Sequence, residues 1–501
     1  MLCVFYFFNS TAQKFTFCAV LFLRWDGVKI CFCFAIVWKI IVPLSCKLFA
    51  IAMKKLTSSN VVSKQFLKSK KMTYPETLTY LYSQMPEYQR IGHLAYKPGL
   101  DNSLRLDTIF GHPHRRYKTV HVGGTNGKGS TSHLLAAVLQ ESGYKVGLYT
   151  SPHLIDFRER IRVNGKMIEQ EYVVQFVEKY REAFEPIMPS FFELTMEMAF
   201  LYFAEQNVDV AVIEVGMGGR LDSTNIISPD LSIITNIGFD HMKHLGNTLP
   251  KIAGEKAGII KPNTPVVIGE AGNEEVKRVF AEKAESENAP IVFAEAAFDD
   301  FSAKNTRKGW IFQTAEYPDL FGSLGGFAQE KNAKTVLCAI NELKKTGYKI
   351  PQQAVYEGFA HVTKLTGLMG RWQTLSENPK IVCDTAHNVH GIHYVSQQLQ
   401  AERYQTLRIV FGVVDDKDVQ AMLALLPKNA VYYFTKPSIE RALNEKELAK
   451  QAADFGLKGK TYLSVSQAIQ AAVENSDEGD FIFIGGSNFV VAEGILTVIE
   501  G

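Results

Sequence analysis

The sequence predicts an α/β protein of two domains, and three observations carry that expectation. Near-continuous Val/Ile runs alternate with stretches of helical spacing, a glycine-rich turn joins the first run to the first helix, and the pattern starts afresh after Gly370. Buried apolar strands separated by helices imply a mainly parallel sheet covered on both faces. At 501 residues the chain is also too long for one ordinary core.

The first element is Thr119-Val120-His121-Val122, a strand ending in glycines, followed by helical spacing from Ser132 to Ser142 that stops at Gly143. Val146 to Tyr149, Val208 to Val215 and Leu231 to Thr235 read as further strands of the same sheet. Beyond Gly370, Lys380 to Asp384, Leu407 to Gly412, Ala430 to Thr435 and Asp480 to Gly485 make a second set, so the boundary falls between about 360 and 370. The expected division is an N-terminal extension outside the fold (1–71), a larger domain (72–365) and a smaller Rossmann-like one (366–501).

Composition excludes several function classes. Apolar residues make up 46% and charged residues 21%, which fits neither disorder nor a wholly membrane-embedded chain. With 54 basic against 52 acidic residues, a net charge of +2 leaves no footprint for nucleic acid. Cys3, Cys18, Cys31, Cys33 and Cys46 crowd the N-terminus, leaving Cys338 and Cys383 for the body. That spacing makes neither a disulfide framework nor a zinc site, and a cytoplasmic location is expected. In residues 1–52, Lys29, Lys39 and Lys47 interrupt every apolar run, short of the roughly 18 to 20 apolar residues of a membrane-spanning helix. An anchor or signal remains the alternative to an upstream stretch preceding a true start at Met53 or Met72. No stable membrane partner is expected.

The strongest local motif is Gly123-Gly124-Thr125-Asn126-Gly127-Lys128-Gly129-Ser130, lying between strand and helix. Glycines let backbone N–H groups close round phosphate oxygens, the helix N-terminus adds positive potential, and Lys128 supplies a point charge. Thr131 reads as a helix residue before a metal hydroxyl. Glu214 ends a buried strand beside Gly216-Met217-Gly218-Gly219, the position where open α/β sheets bind ligands; a hard cation such as magnesium wants that carboxylate. Asp240-His241 follows another strand end, and the residues alone leave His241 between metal ligation and hydrogen bonding. Lys256 reads by default as a solvated helix lysine. Asp384, at a strand end of the second domain, has helix capping as its plainer alternative.

In chain order, GGTNGKGS, YTSPHL with FRERIRVNG, SFFELT, EVGMGGRLDSTN, ITNIGFDHMKHLG, GEKAGIIK, GRWQ and DTAHNVHG resemble the dihydrofolate synthase/folylpolyglutamate synthase family of the Mur ligase superfamily over about residues 73–501. SNFVVAEG resembles the family's closing segment. The resemblance implies a P-loop Mur-ligase central domain followed by a glutamate-ligase domain. It further implies transfer of the ATP γ-phosphate to a pteroate or folate carboxylate and attack by the amine of glutamate. On that footing Asn126, Gly127, Lys128, Gly129 and Ser130 hold the phosphates, and Asn332, Arg371 and Asp384 contact the nucleotide. Ser151 and Glu214 bind one magnesium, His241 a second, and Lys256 matches a lysine carboxylated by carbon dioxide. His387 lies near the transferred phosphate. Ser190, Phe191, Phe192, Glu193, Leu221, Asp222 and Ser223 match pterin contacts, and Asp101 and Asn102 lie where a further pterin loop would be. A monomer acting on both dihydropteroate and folates is expected, with polyglutamate extension alone as the alternative. A P-loop switch driving a partner is the competing class, and it would hydrolyse nucleotide without folate or glutamate.

Overall fold

The computed structural model describes residues 2–5, 17–25, 28–36, 71–85, 99–415 and 417–500, and it divides into two compact units, Met1–Lys71 and Met72–Gly501. In the first unit β1 (Leu2–Phe5), β2 (Phe17–Trp25) and β3 (Val28–Ile36) form an antiparallel sheet in that order. The anchor or signal that is the alternative reading of 1–52 falls mostly outside the described residues, as does the candidate start at Met53. Among the described residues no helix is long and apolar enough to cross a membrane.

The second unit carries an eight-stranded sheet built from β4 (Lys118–Gly123), β5 (Val146–Tyr149), β6 (Ile161–Val163), β7 (Lys166–Met167), β8 (Val210–Glu214), β9 (Leu231–Asn236), β10 (Val266–Glu270) and β11 (Ile291–Phe293). The strand order is β11-β10-β9-β4-β8-β5-β6-β7, parallel from β11 through β5, with β6 and β7 adding an antiparallel edge. β4 is central, with Val120 opposite both Val212 and Leu231. Successive side chains serve opposite faces. Val210 and Val212 join the core under the Lys128–Glu141 and Ala328–Lys345 helices, whereas Ala211 and Ile213 join the core of the Phe191–Glu205 helix. Burial on both faces explains why the strand reads as an unbroken apolar run. Truncating a core position such as Val212 to alanine would cost roughly 1–3 kcal/mol in lost transfer and cavity terms.

An antiparallel sheet of β12 (Ser302–Thr306), β13 (Gly309–Gln313) and β14 (Leu320–Gly322) follows. The Gln352–Thr366 helix ends on Gly367 at φ 69, a left-handed C-cap suited to glycine. Residues 367–372 then lead into a six-stranded sheet of β15 (Gln373–Glu377), β16 (Lys380–Cys383), β17 (Leu407–Phe411), β18 (Ala430–Phe434), β19 (Lys458–Thr461) and β20 (Phe481–Gly485). Its order is β15-β16-β20-β17-β18-β19, all parallel except β15.

The sequence pattern misses β6, β7, β10 to β15 and β19. Several of these are short, half-exposed or rich in polar residues, such as Ser-Ala-Lys-Asn-Thr in β12, and lack the apolar run that marks a central strand. The helix after β4 begins at Lys128, inside the glycine loop, and not at Ser132, and the sequence pattern also misses the Tyr74–Gln84 and Asp101–Ile109 helices before it.

Candidate active site

The carboxyl ends of β4, β8, β9 and β16, with the loop after β17, open on one cavity of about 420 Å³. Its wall includes the whole Gly124–Ser130 loop, Ser151, Glu214, His241, Lys256, Asn332, Arg371, Asp384 and His387. It also includes Ser190, Phe191, Phe192, Leu221, Asp222 and Ser223. Asp101, Asn102 and Glu193 are not among the lining residues. Glu193 instead completes a capping box with Ser190, and Asn102 Nδ2 reaches Glu193 Oε2 at 3.5 Å.

The glycine loop is fixed by its neighbours. Thr125 N–H donates to the Asn236 carbonyl at 3.0 Å and Asn126 N–H to Asn236 Oδ1 at 2.8 Å, tying the loop to the end of β9. Gly124 at φ +139 would place a Cβ 1.9 Å from Thr235 Oγ1, and Gly127 at φ +82 would place one 2.3 Å from Asn332 Oδ1. Only glycine fits such positions without rearrangement. Gly127 is the N-cap of the Lys128–Glu141 helix and provides no side-chain cap, so the helix's first N–H groups face the cavity side of the loop uncapped by it. Lys128 Nζ folds onto its own loop, donating to the carbonyls of Gly124 (3.2 Å) and Thr125 (3.1 Å). Gln329 Nε2 lies 3.4 Å from Ser130 Oγ and receives Asn332 Nδ2 on its Oε1 at 3.0 Å. Thr131 lies within the helix with its buried hydroxyl unpartnered.

Two buried groups stand beside the loop. Glu214, 4% exposed, accepts the Ser151 N–H on Oε2 at 3.2 Å. Burial pushes its carboxyl up, against the opposing pull of Lys128, the Ser151 N–H and Arg371. Lys256 is 3% exposed and donates to the Gly124 carbonyl at 2.7 Å, so it is no solvated helix lysine. Burial, aided by Lys128, lowers its ammonium to about 7. Its helix faces the core at Ile252, Ala253 and Ala257, and Lys256 shares that face one helical turn beyond Ile252 and Ala253.

The second sheet contributes a matching set. Asp384 accepts the N–H groups of Trp372 (2.8 Å) and Ala386 (2.9 Å), while Asn388 caps the following helix by accepting the Gly391 N–H at 2.9 Å. Burial raises the Asp384 carboxyl, with Arg371 opposing. Arg371 donates to Thr385 Oγ1, and a Cβ on Gly129 would stand 3.1 Å from its Nη2. His387 Nδ1 lies 2.9 Å from the Thr385 carbonyl oxygen, which an N–H must face, so Nε2 holds the lone pair. Burial keeps His387 (about 4) and His241 (about 3) neutral at physiological pH.

Sequence reading missed Asn236, Gln329, Asn388, His390 and Lys417, and it left Asp240 without a role. Asn126 pairs with Asn388 and lies 3.1 Å from His390 Nδ1. Lys417 Nζ donates to Asp240 Oδ1 at 2.7 Å. Asp240, Asn388 and Lys417 all follow strand ends, and that topological signal marks them in the sequence. Among the described residues, no three His, Cys, Asp or Glu side chains form a metal cluster. The hard oxygen of Glu214 nevertheless fits magnesium, an ion that commonly takes one or two carboxylates and completes its shell with phosphate oxygens and water.

Known proteins bear the same marks. Residues 122–318 match the Mur ligase middle domain and residues 370–488 the Mur ligase glutamate ligase domain. A dihydrofolate synthase/folylpolyglutamate synthase of Bacillus subtilis is 37% identical over 367 residues, covering 70% of this chain and 84% of that protein. Mycobacterium tuberculosis folylpolyglutamate synthase complexed with ADP superimposes with a TM-score of 0.76 at 31% identity, covering 85% of this chain and 98% of that one. Escherichia coli FolC in complex with DHPP and ADP gives 0.75 at 29% identity, covering 86% and 98%. The chain belongs to the dihydrofolate synthase/folylpolyglutamate synthase family of Mur ligases.

Proposed function

We infer that this ATP-dependent ligase joins L-glutamate both to dihydropteroate and to folate mono- and polyglutamates through an acyl phosphate. One observation carries the reading: a single cavity brings the glycine loop, the buried Glu214 and Lys256, and the aromatic wall of Phe191 and Phe192 face to face. The relative solved with DHPP and ADP supports a cleft that takes a pterin and a nucleotide together.

In this reading Asn126 to Ser130 hold the phosphates, and Asn332, Arg371 and Asp384 hold the rest of the nucleotide. Ser190, Phe191, Phe192, Leu221, Asp222 and Ser223 receive the pterin end. A carboxylate oxygen of the acceptor attacks the γ-phosphorus, and the bond to the β-phosphate oxygen breaks to release ADP. The neutral amine of glutamate then attacks the acyl carbon; the C–O bond to phosphate breaks, phosphate leaves, and the amine sheds a proton as the amide forms. Catalysis is mostly positioning and charge neutralisation. Lys128 supplies fixed positive charge, and His387 stands near the transferred phosphate. Magnesium held by Ser151 and Glu214, with a second ion at His241, would neutralise developing phosphate charge. The depressed Lys256 ammonium suits carboxylation, because only the neutral amine attacks carbon dioxide. The carbamate formed would add an anionic oxygen donor at the cavity wall.

Restriction to polyglutamate extension has one observation in its favour, since Asp101 and Asn102 are not lining residues of the cavity. Phosphate release from ATP and magnesium, measured with glutamate and either dihydropteroate, tetrahydrofolate or no pterin, tests both readings. Release requiring glutamate and supported by both acceptors establishes the bifunctional ligase. A response to tetrahydrofolate alone establishes the restricted one, and release indifferent to acceptor removes both. We further propose that the catalytic chain is monomeric, cytoplasmic, and confined to residues 72–365 and 366–501.

A further inference from the structure

We propose that Asp240 is a positioning residue that makes a single event of two, the seating of the second sheet's loops and the orientation of His241. The proposal rests on the ligase reading above. Asp240 lies beyond the end of β9 with its side chain 10% exposed. Its Oδ1 accepts Lys417 Nζ at 2.7 Å and the His241 N–H at 2.9 Å. Its Oδ2 accepts Asn388 Nδ2 at 3.0 Å and faces His387 Nε2 at 3.8 Å. Lys417 comes from the loop after β17, while His387 and Asn388 come from the loop after β16. One carboxylate therefore gathers both loops of the second sheet onto the first.

The residue type follows from the partners. Lys417 is also 10% exposed, and a largely buried ammonium without a counter-charge is strongly destabilising. His241 sits at φ 49, a left-handed conformation costing roughly 1–3 kcal/mol that its surroundings must enforce. The Asp240 carboxylate restrains this turn by accepting the His241 N–H. Lys417 and the His241 N–H share one oxygen and Asn388 takes the other, so three donors fix the plane of the carboxylate. Rotation that releases Asn388 also disturbs the turn carrying His241. An asparagine cannot substitute, because its Nδ2 would meet either the Lys417 ammonium or the Asn388 amide donor to donor.

The test uses the full chain with Asp240→Asn, Asp240→Glu and Lys417→Met, and the Asp240→Asn/Lys417→Met double variant, each checked for folding by thermal melting. Asp240→Asn is expected to lower kcat for glutamate-dependent phosphate release by roughly 100-fold, the scale of a small misplacement, with KM for ATP changed by less than about three-fold. Asp240→Glu is expected to recover part of that loss. Lys417→Met should lower kcat less, and the double variant should be no slower than Asp240→Asn, because coupled sites are not additive. In small-angle X-ray scattering with magnesium and a non-hydrolysable ATP analogue, Asp240→Asn should be more expanded than wild type. Wild-type kcat in Asp240→Asn, multiplicative losses in the double variant, or a loss confined to KM for ATP would overturn the proposal. If Asp240→Asn does not fold, an unchanged kcat in Lys417→Met overturns it equally. Should wild type lack glutamate-dependent release, the ligase reading fails, and the scattering comparison still decides whether Asp240 couples the two sheets.

Discussion

Asn126 and Asn388 hold each other reciprocally: Asn126 Nδ2 donates to Asn388 Oδ1 at 3.1 Å and Asn388 Nδ2 donates to Asn126 Oδ1 at 2.9 Å. The pair joins the glycine loop to the loop after β16 across 262 residues of sequence. Removing Asn388 leaves Asn126 Oδ1 without that donor, at a cost of roughly 1–3 kcal/mol. Asn388→Ala should therefore lower kcat by roughly 10- to 100-fold, measured as steady-state phosphate release; wild-type turnover would show that the pair does not hold the working arrangement.

Lys256 sets a pH expectation. Its ammonium is depressed to about 7 from an ordinary 10.5, so the folded state favours the neutral amine. The linked stability is greatest at high pH and is lost as pH falls from 10.5 towards 7, below which the burial penalty is fully present. Carboxylation should fail over the same acidic side. Activity should fall as pH drops through about 7 and rise with added bicarbonate, because His241 and His387 titrate too low to produce that limb. Lys256→Ala should lose more than about 100-fold in kcat while its melting temperature survives. A bicarbonate-insensitive enzyme with a flat profile through that pH would refute the role.

Gly127→Ala tests the loop directly. A methyl group there meets Asn332 Oδ1 at 2.3 Å on a backbone of φ +82. Strain of roughly 1–3 kcal/mol is expected, with ATP affinity falling more than stability. Calorimetric titration of ATP against the melting curve separates the two effects.

Phe192 stacks obliquely on Tyr149 with ring centroids 5.8 Å apart, and it leaves no room for a Cβ on Gly216, which would sit 2.5 Å from its ring. Phe192→Ala should raise KM for the pterin substrate about 10-fold or more, the value of a lost aromatic contact of roughly 1.5 kcal/mol, while KM for ATP stays put. A change confined to ATP would reassign the wall.

Residues 72–501 expressed alone should retain the full chain's kcat, because Met72–Gly501 forms a compact unit by itself. A truncated chain that folds but does not turn over would give residues 1–71 a part in the activity.

Legibility in the sequence followed physical cause. The glycine loop and Glu214 were readable because a phosphate cradle needs glycines at fixed offsets and because a carboxylate ending an apolar strand is conspicuous. Lys256 was not readable from its residues, since burial of a lysine depends on what packs over its helix. Lys417 follows a strand end, but its pairing was not readable: its partner Asp240 lies 177 positions away, and no local pattern announces a long-range ion pair. Asp384 had helix capping as its plainer alternative, yet Asn388, four residues later, does the capping. Most strands with two buried faces were found, β10 being the exception although Val266 to Ile268 are buried; the half-exposed edges and the β12–β14 sheet were not, because their side chains lack a dominant apolar run.

Two helix N-termini border the same cavity in different chemical states. Gly127 opens one without a side-chain cap, whereas at the other Ser190 Oγ accepts the Glu193 N–H and Glu193 accepts the Ser190 N–H. One end thus keeps helix N–H groups without a side-chain cap beside Lys128, and the other sets the rings of Phe191 and Phe192 among Ser190, Asp222 and Ser223. On the proposed reading, substitutions among the rings would alter which acid is accepted while leaving the glycine-loop end untouched.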